Sequence, residues 1–577
     1  RDCLLSRGLG DVYKRQFSGT VNSVSSTKTL DIVAGNGDTT FSGTVGGSEA
    51  LGNTTIGTAV LTAGAIKVQG TLAITNSAES EIDGVISDGD SAAILTKAGS
   101  AKLILSGNNT FTGAVTVNAG RLHITHANGL GATDGATTVA DGARLNINGG
   151  LTIAEAITIN GTGDSSKGAL HFNGGNNTVS GNITLGADAK IHSSTGTQTI
   201  SGTINGEHAL TITGTDNFTI SGIVGGSAAL DSVAATITNS GTFTVGANIT
   251  TSGNQTYTAA GGIVTSGART FTSNSGTVSF RSALAGNNNN LTVSGAASIE
   301  GAVTNIAVLS ITGTANIGGD ITSSGTQTYG GAVNLTTNVT LTTSSDVITF
   351  DSTVNSFGSA RNLTIATGGN STEINFDGIV GGSNALGVIT ITGALDLNAA
   401  IASATSIAVS GASNIGADVT TSGTQTYSGA ITLSGAARTL EGSTVQTTTI
   451  NGAQNLTITG NLDLNGIIGG SSAIGVFSVS GTSNLGANVT TTGTQTYSGA
   501  VTLSANVTLT SSNDNFTFSS TVDSDGSTRN LTLSAGSGTI GITNAIGGSA
   551  ALGTLTITQS GGVTFSSSVS YTHLTLP

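Results

Sequence analysis

Short runs in which apolar and hydroxyl-bearing residues alternate make up most of the chain. In the runs between residues 501 and 518, Val, Leu and Phe alternate with Thr. A period of two places successive side chains on opposite faces of a strand. Gly, Asn, Ser or Asp interrupts the runs every eight to twelve residues, and no long stretch shows helical spacing. The pattern predicts an all-β chain of short strands with one apolar and one hydroxyl-rich face.

Two repeated phrases occur at irregular spacing. Residues 320–362 align without a gap with residues 488–530. A second phrase, Gly-Gly-Ser-x-Ala between aliphatic residues, occurs at residues 45–51, 224–230, 380–386, 468–474 and 546–552. A propeller needs a fixed period, whereas a solenoid accepts whole additional coils. We therefore predict a right-handed parallel β-helix (β-solenoid), an elongated rod with roughly 20–25 residues per coil and coils about 4.8 Å apart.

Composition narrows the functional classes. Charged residues make up 8% of the 577 residues, and the net charge is −14. The 17 Lys and Arg residues are scattered, whereas nucleic-acid binding needs clustered basic residues, so we expect no nucleic-acid partner. No apolar run approaches the length of a membrane-spanning helix. Because the chain does not begin with Met, we expect it to be an internal piece of a longer protein.

Both ends differ in composition from the rest of the chain. Residues 1–16 hold the one cysteine, Cys3, and four of the 17 basic residues, while residues 569–577 hold the one proline, Pro577. Both strings resemble translated adapter sequence, and we predict that they are non-native tails outside the fold. The chain between them has no cysteine, so we expect neither disulfides nor thiol chemistry.

Histidines are the first candidates for metal binding. All of them except His573 lie between His123 and His208. His123 and His126 are three residues apart, a spacing that suits chelation on a helix. In a strand, however, residues three apart point to opposite faces, so this pair is predicted to bind no metal.

Clustered carboxylates would indicate a polysaccharide-cleaving site, which needs an acid and a base on adjacent coils. The densest acidic positions are residues 88–90 and 523–525, each with two Asp residues. Asp523 and Asp525 align with Asn355 and Phe357 in the repeat partner, so the acidic character is not repeated. Asp and Asn beside Gly are typical of tight turns. We expect no catalytic residue, no metal site and no cofactor.

The tyrosines between the predicted tails all end the same Gln-Thr-Tyr phrase: Tyr257, Tyr329, Tyr427 and Tyr497. Repeated aromatic rings could form a sugar-binding ladder on the surface or fill a core position in each coil. Tyr497 shares its parity with Val501 and Leu503, and an earlier copy of the phrase has Ile200 in place of Tyr. An aliphatic residue can replace a core ring but not a stacking platform, so we predict that these are structural repeat positions with buried rings.

Residues 95–125 contain Leu-Thr-Lys-x-Gly, Leu-x-Leu-Ser-Gly-x-Asn-Thr-Phe-Thr-Gly and Val-Asn-Ala-Gly-x-Leu. This stretch closely resembles the autotransporter-associated β-strand repeat, also called the passenger-associated transport repeat. The later Gly-Thr-Gln-Thr-Tyr and Gly-Gly-Ser units are similar to the repeats of large filamentous-haemagglutinin-like adhesins. The resemblance implies an extracellular or cell-surface passenger exported across the outer membrane. The predicted organisation is solenoid repeats over 17–77, solenoid with the transport repeat over 78–215, and Gly-Gly-Ser and Gln-Thr-Tyr repeats over 216–568.

Two functional hypotheses follow from these observations. The first is a structural and adhesive stalk that binds a surface ligand, a glycan or protein on a host or sibling cell, and that can self-associate through the exposed ends of the solenoid. The second is a secreted polysaccharide-active β-helix enzyme, which would carry a cleft lined by stacked carboxylates.

Overall fold

A computed structural model of the chain describes residues 14–24 and 26–575. The chain divides into two compact units, residues 1–295 and 296–577. Within each unit, short strands wind into coils, and each strand pairs in parallel with strands of neighbouring coils. The predicted parallel β-solenoid is therefore confirmed. In the described part of the chain the helical structure is limited to a 3-10 turn at Asp164–Ser166, and no helix there is long and apolar enough to cross a membrane.

The strands of the first unit form three stacks, and a long strand that turns a corner belongs to two of them. Stack 1a contains Arg15–Phe17, Thr39–Phe41, Leu61–Ala63, Ser80–Ile82, Lys102–Leu105, Arg121–Ile124, Arg144–Asn148, Leu170–Gly174, Ile183–Ser193, Ala209–Gly214, Ser232–Ile237, Gln255–Ala259 and Arg269–Phe280. Stack 1b contains Leu30–Val33, Thr54–Thr58, Ile66–Asn76, Ile86–Ala98, Val115–Val117, Ala136–Val139, Ala156–Gly161, Ile183–Ser193, Ile204–Asn205, Ile249–Thr251 and Arg269–Phe280. Stack 1c contains Thr152–Ile153, Thr178–Val179, Gln198–Ile200, Phe218–Ile220, Phe243–Val245, Ile263–Thr265 and Leu284–Ile299.

The second unit has the same three-sided plan. Stack 2a contains Val303–Ile311, Gln327–Tyr329, Ile348–Phe350, Glu373–Phe376, Ala394–Leu397, Ser413–Ile415, Ile431–Leu433, Ile450–Asn451, Val489–Thr491, Val507–Ser511, Leu531–Ser534, Leu552–Gln559 and Tyr571–Thr575. Stack 2b contains Ile321–Ser323, Val339–Thr343, Leu363–Ala366, Leu386–Thr392, Ile401–Val409, Thr424–Tyr427, Arg438–Thr447, Leu456–Leu464, Ser483–Leu485, Val501–Leu503 and Val522–Ser524. Stack 2c contains Ala315–Ile317, Val333–Leu335, Val354–Ser356, Ile401–Val409, Val419–Thr421, Arg438–Thr447, Leu456–Leu464, Phe477–Val479, Gln495–Tyr497, Phe516–Phe518, Thr539–Ile542 and Gly562–Phe565.

The alternation in sequence becomes an inside and an outside of each coil. In Gln327–Tyr329 the first and third side chains are buried, and the central Thr328 is half-buried on the outer surface. Tyr329, Phe350 and Phe376 pair in register, and their rings stack with centroids 5.1 and 5.0 Å apart. Coil length is more variable than predicted, because Leu397 pairs with Ile415 18 residues later whereas Phe350 pairs with Phe376 26 residues later. Between Phe350 and Phe376 the extra residues lie outside the paired strands, whereas other strand pairs contain register shifts, as between Val303 and Ile306 and between Ile401 and Ala404.

The repeated phrases change stack from one copy to the next. Tyr329 lies in stack 2a, Tyr427 in stack 2b and Tyr497 in stack 2c. The Gly-Gly-Ser phrases follow the same order, since their first residues pair within stack 2c at residue 380, stack 2a at residue 468 and stack 2b at residue 546. Along each coil of the second unit the chain passes through stack 2a, then 2c, then 2b. The segment from one copy of a phrase to the next copy therefore spans a whole number of coils plus two-thirds of a coil. Equivalent positions of successive repeats lie on different sides of the second unit.

Each Gly-Gly-Ser phrase forms a coil corner that is capped by an Asn or Asp one coil earlier. The backbone N–H of Ser383 donates to Asn355 Oδ1 at 3.0 Å, and that of Ser549 donates to Asp523 Oδ1 at 2.9 Å. Three other corners are capped in the same way, by Asn22, Asn205 and Asn451. The first glycine has positive φ, 71° at Gly381, where a Cβ would lie 2.0 Å from the carbonyl oxygen of Ser403. The corner therefore requires glycine there and an oxygen acceptor one coil before.

The strand ladders extend into both predicted tails. Arg15–Phe17 pairs with Thr39–Phe41, and Tyr571–Thr575 pairs with Leu552–Gln559. Residues 1–13, including Cys3, and residues 576–577 lie outside the described residues. The non-native origin of residues 1–16 and 569–577 and the internal boundaries at residues 77 and 215 stay predictions.

Replacing the corner cap Asp523 by Ala is expected to lower the free energy of unfolding by about 1 kcal/mol, because backbone donors in the next coil lose their acceptor. Asp523→Asn is the matched control and is expected to stay within about 0.5 kcal/mol of the wild type, since Asn355 caps the equivalent corner. Urea denaturation of the full chain, followed by far-UV circular dichroism, measures both variants. Equal midpoints for the Ala and Asn variants would contradict the capping role.

Candidate functional site

The four repeat tyrosines lie inside the coils. Tyr257, Tyr329 and Tyr497 have no exposed surface, and Tyr427 is 1% exposed. Burial raises the pKa of each phenol well above its ordinary value. The burial agrees with the parity argument, and none of these four rings is available to stack on a sugar. Tyr329, Tyr427 and Tyr497 also lie in three different stacks of the second unit, which a single ligand-binding face would not allow.

A buried glutamine two residues before each tyrosine satisfies its hydroxyl. Tyr329 donates to Gln327 Oε1 at 2.8 Å, and the other three tyrosines donate to their glutamines at 2.8 to 3.1 Å. Gln327 Nε2 donates to the carbonyl of Thr342 in the next coil at 2.9 Å and to Ser323 Oγ at 3.1 Å. The glutamine and tyrosine of the Gln-Thr-Tyr phrase therefore form a buried hydrogen-bonded pair that links one coil to the next. We call this pair the cross-brace. Sequence periodicity could not identify this role, because Gln and Tyr occupy positions that otherwise hold aliphatic residues.

The copy of the phrase that ends in Ile200 shows why the tyrosine is dispensable there. Gln198 is also fully buried, and its Oε1 accepts hydrogen bonds from the backbone N–H and the side-chain Nδ2 of Asn177 at 3.1 and 3.0 Å. The side-chain oxygen therefore has donors without a phenol. Where this Asn is absent, the tyrosine hydroxyl is the donor that the buried glutamine needs.

Replacing Tyr329 by Phe is expected to cost about 1–3 kcal/mol, because the buried Gln327 Oε1 loses its donor. Tyr329→Ala also removes the ring between neighbouring coils and is expected to cost about 3–5 kcal/mol. The outward Thr328→Ala is the control and is expected to change stability by no more than about 0.5 kcal/mol. Thermal and urea unfolding of the full chain measure all three, and a Phe variant as stable as the wild type would rule out the cross-brace.

The acidic residues singled out in the sequence accept structural hydrogen bonds or form a surface ion pair. Asp88 Oδ1 accepts from the backbone N–H of Ala93 at 2.7 Å, and its Oδ2 accepts from the hydroxyl of Thr112 at 2.8 Å. Asp525 forms a surface ion pair with Arg529 at 2.8 Å, and Asp523 caps the corner described above. Among residues 14–24 and 26–575, no three His, Cys, Asp or Glu side chains are grouped so that they could hold a metal ion.

Histidines and basic residues meet on the outer face of stack 1a, which we call the basic face. In-register pairing places His123, Asn146, His171 and His192 in successive coils. A second row, two residues earlier in the strands, contains Lys102, Arg121 and Arg144. Five of the six histidines and six of the 17 Lys and Arg residues lie between residues 97 and 208. The sequence showed the histidine clustering, but only the strand register brings these side chains onto one face.

A hydrogen-bonded chain on the basic face has the order of a serine–histidine–asparagine catalytic site. The ring nitrogens of His171 lie 2.8 Å from Ser194 Oγ and 3.1 Å from Asn146 Oδ1. Burial, followed by the positive charges of Arg144, His192 and Lys167, lowers the pKa of His171 to about 3. A general base works best when its pKa lies near the working pH. The neutral, buried imidazole of His171 is therefore a poor base, and the chain of hydrogen bonds orients side chains between coils.

His123 and His126 do not form a pair. His123 lies in the strand Arg121–Ile124 and is buried, with a pKa lowered mainly by burial. His126 lies in the following turn, where its Nδ1 accepts from the backbone N–H of Asn128 at 3.1 Å. Two different local structures thus hold the two imidazoles.

Two buried ionisable groups inside the first unit were not anticipated from the sequence. Lys97 has no exposed surface, and its ammonium donates to the carbonyls of Ala98, Gly99 and Ala119 at 2.7 to 3.1 Å. Three donors thus meet three acceptors, while burial lowers the pKa of Lys97 to about 8. Glu155 is 3% exposed, its Oε1 accepts from Thr137 Oγ1 at 2.7 Å, and its Oε2 has no hydrogen-bond partner among the described residues. Burial raises the pKa of Glu155 to about 8.

The raised pKa of Glu155 predicts a pH-dependent stability. In the unfolded chain this carboxyl loses its proton near its ordinary pKa of 4.5, whereas the folded chain keeps it until about pH 8. Between these values the folded state binds more protons, so the free energy of unfolding falls as the pH rises. Thermal midpoints of the wild type are therefore expected to fall relative to Glu155→Gln between pH 5 and pH 8. The exposed Glu207→Gln is the control, and parallel profiles for wild type and Glu155→Gln would disprove the prediction.

Comparison with known proteins places one part of the chain in a described family. Residues 95–124 match the passenger-associated-transport-repeat family, which confirms the resemblance found in the sequence. The Adhesin BmaC autotransporter of Brucella suis biovar 1 (strain 1330) is 37% identical over 100 residues, 16% of this chain and 3% of that protein. The chain thus spans only a small part of that relative. No solved structure is detectably similar. The similarity of the later units to filamentous-haemagglutinin-like adhesins stays a prediction.

Proposed function

We propose that this chain is a segment of an exported passenger that acts at the cell surface as a structural and adhesive stalk. The observation that carries the proposal is the transport repeat at residues 95–124. Its strands pair in parallel with strands of the neighbouring coils. The named relative is an adhesin autotransporter, and its similarity to a short part of this chain supports the same class of function.

The chemistry of the coil surface supports a binding role over catalysis. Outward positions are mostly Thr, Ser and Asn, and the carboxylates tested above cap turns or form surface ion pairs. Polysaccharide cleavage would need an acid and a base facing one cleft. The imidazole nearest to a catalytic arrangement, His171, is neutral and buried.

Adhesion is tested with latex beads coated with the folded full chain and applied to epithelial cells and to bacterial cells. Retention above that of albumin-coated beads is expected, and soluble folded chain is expected to compete it away. Beads coated with heat-denatured chain are the matched control, because they carry the same composition without the coil. Retention equal to albumin on every cell type would overturn the adhesive part of the proposal.

The enzymatic alternative is tested by incubating the same protein with neutral and acidic polysaccharides and measuring new reducing ends. No release above buffer is expected. Reproducible release that depends on folded protein would refute the stalk proposal and support the polysaccharide-active enzyme.

A further inference from the structure

The basic face carries a local positive charge on a strongly acidic chain. Burial and then the cations Lys167, Lys190 and Arg144 lower the pKa of His192 to about 4, and the charges that act on His171 are also cationic. Lys167 is exposed and Lys190 half-buried, and neither forms a salt bridge with a described residue. At physiological ionic strength the Debye length is about 8 Å, so nearby charges decide the potential of this face. Of the nearby carboxylates, Glu79 pairs with Lys102, Asp164 pairs with the two arginines, and Asp188 lies 3.8 Å from His208.

One carboxylate on this face already shows how an anion is held. A short turn brings Asp164 over the outer surface, where Arg121 Nε donates to its Oδ2 and a terminal nitrogen of Arg144 lies 3.4 Å from the same oxygen. Arg144 also donates to the backbone carbonyl of Asp164 at 3.2 Å. Two guanidinium groups one coil apart therefore converge on a single anionic oxygen. Arg144 is 4% exposed, and its Nε has no hydrogen-bond partner among the described residues.

The cations on this face are arranged at the repeat of the coil. Arg121 and Arg144 pair in adjacent coils, and Lys190 precedes Ile191, whose partner Leu170 lies one coil earlier. Adjacent coils are about 4.8 Å apart, so these cations lie within a few coils of one another, with Ala169 at the equivalent place in the coil between Arg144 and Lys190. A linear polymer with an anionic group on successive units can contact several of these cations at once. Planar guanidinium groups suit sulfate and carboxylate oxygens in particular.

We propose that the basic face, with Arg121, Lys167 and Lys190 at its accessible surface, binds an anionic polysaccharide that carries sulfate or carboxylate groups. This assignment rests on the proposed adhesive function, for which it names the class of ligand. Asp164 occupies part of the surface as an internal competitor for the two arginines. Nucleic acid is disfavoured because single-strand binding relies on exposed aromatic rings, and the nearby Phe172 is fully buried.

Chromatography on immobilised heparin tests the proposal with the full chain. The wild type is expected to be retained at low ionic strength and to elute in a salt gradient. Lys167→Gln combined with Lys190→Gln is expected to bind heparin about three- to tenfold more weakly, since two exposed charge contacts are lost. Lys28→Gln combined with Lys67→Gln removes the same charge elsewhere in this unit and is expected to elute with the wild type. Asp164→Asn is expected to elute later, because the competing carboxylate is gone.

Further probes separate the possible ligands. Heparin carries sulfates and carboxylates, hyaluronan carries carboxylates alone and dextran is neutral, so binding is expected for the first two and not for the third. Flow-through on heparin, or equal elution of the two double variants, would overturn the assignment. Tighter binding of a single-stranded DNA oligonucleotide than of heparin would overturn the choice of polysaccharide. If the coated beads adhere to cells but the chain does not bind heparin, this inference alone is refuted. If the chain binds heparin but the beads do not adhere, the adhesive role of the stalk alone is refuted.

Discussion

Backbone pairing between coils is the constraint on which the rest of this structure depends. Each strand donates and accepts hydrogen bonds along the coil axis, so each coil must place its strands in register with the coil before it. The register fixes which side chains point inward, and the narrow interior leaves little access to water. Polar groups that enter this interior therefore need partners within the protein. Gln327 and Tyr329 satisfy each other in this way, and Lys97 finds three carbonyls.

The same constraint separates the sequence repeat from the spatial repeat. A unit that spans whole coils plus two-thirds of a coil keeps its strands paired in the parallel ladder while it moves equivalent residues to another side. Tyr329, Tyr427 and Tyr497 share a sequence context but belong to three different stacks. A ligand that needs a flat array of identical groups finds none in the repeated phrases of this unit. The repeats are consequently best understood as the means of building coils, and recognition has to come from positions outside them.

Much of the fold could be predicted from the sequence because the period of two is a direct record of inside and outside. The alternation around Val501 and Leu503 and the glycines of the corners were sufficient for a parallel solenoid and for buried tyrosines. Asp523 lies within the strand Val522–Ser524 rather than in a turn, and it caps the corner of the next coil as Asn355 does at the equivalent place. These inferences depend on local sequence, which periodicity describes well.

The candidate site could not be predicted to the same extent, because it depends on register between coils. In the sequence the basic residues are spread over many positions, so spacing alone indicates no basic cluster. Coils of 18 to 26 residues have no fixed period, so sequence spacing does not reveal that Arg121 and Arg144 are neighbours. The carboxyl of Glu155 is hidden for a similar reason, since its inward position follows a corner rather than a strand.

The basic face differs from the rest of the surface in a way that the solenoid itself does not require. Corner caps and cross-braces recur because every coil needs them, whereas the rows of Arg and His occur in one part of stack 1a. Arg144 and His123 are buried at outward positions, and Arg144 Nε and His123 Nδ1 have no hydrogen-bond partner among the described residues. Burying such atoms lowers the stability of the fold. Hydroxyl side chains at these positions would complete the coil without that cost, as Thr213 does beside His192. A surface that departs from the repeat at the expense of stability is where a function in binding is to be sought.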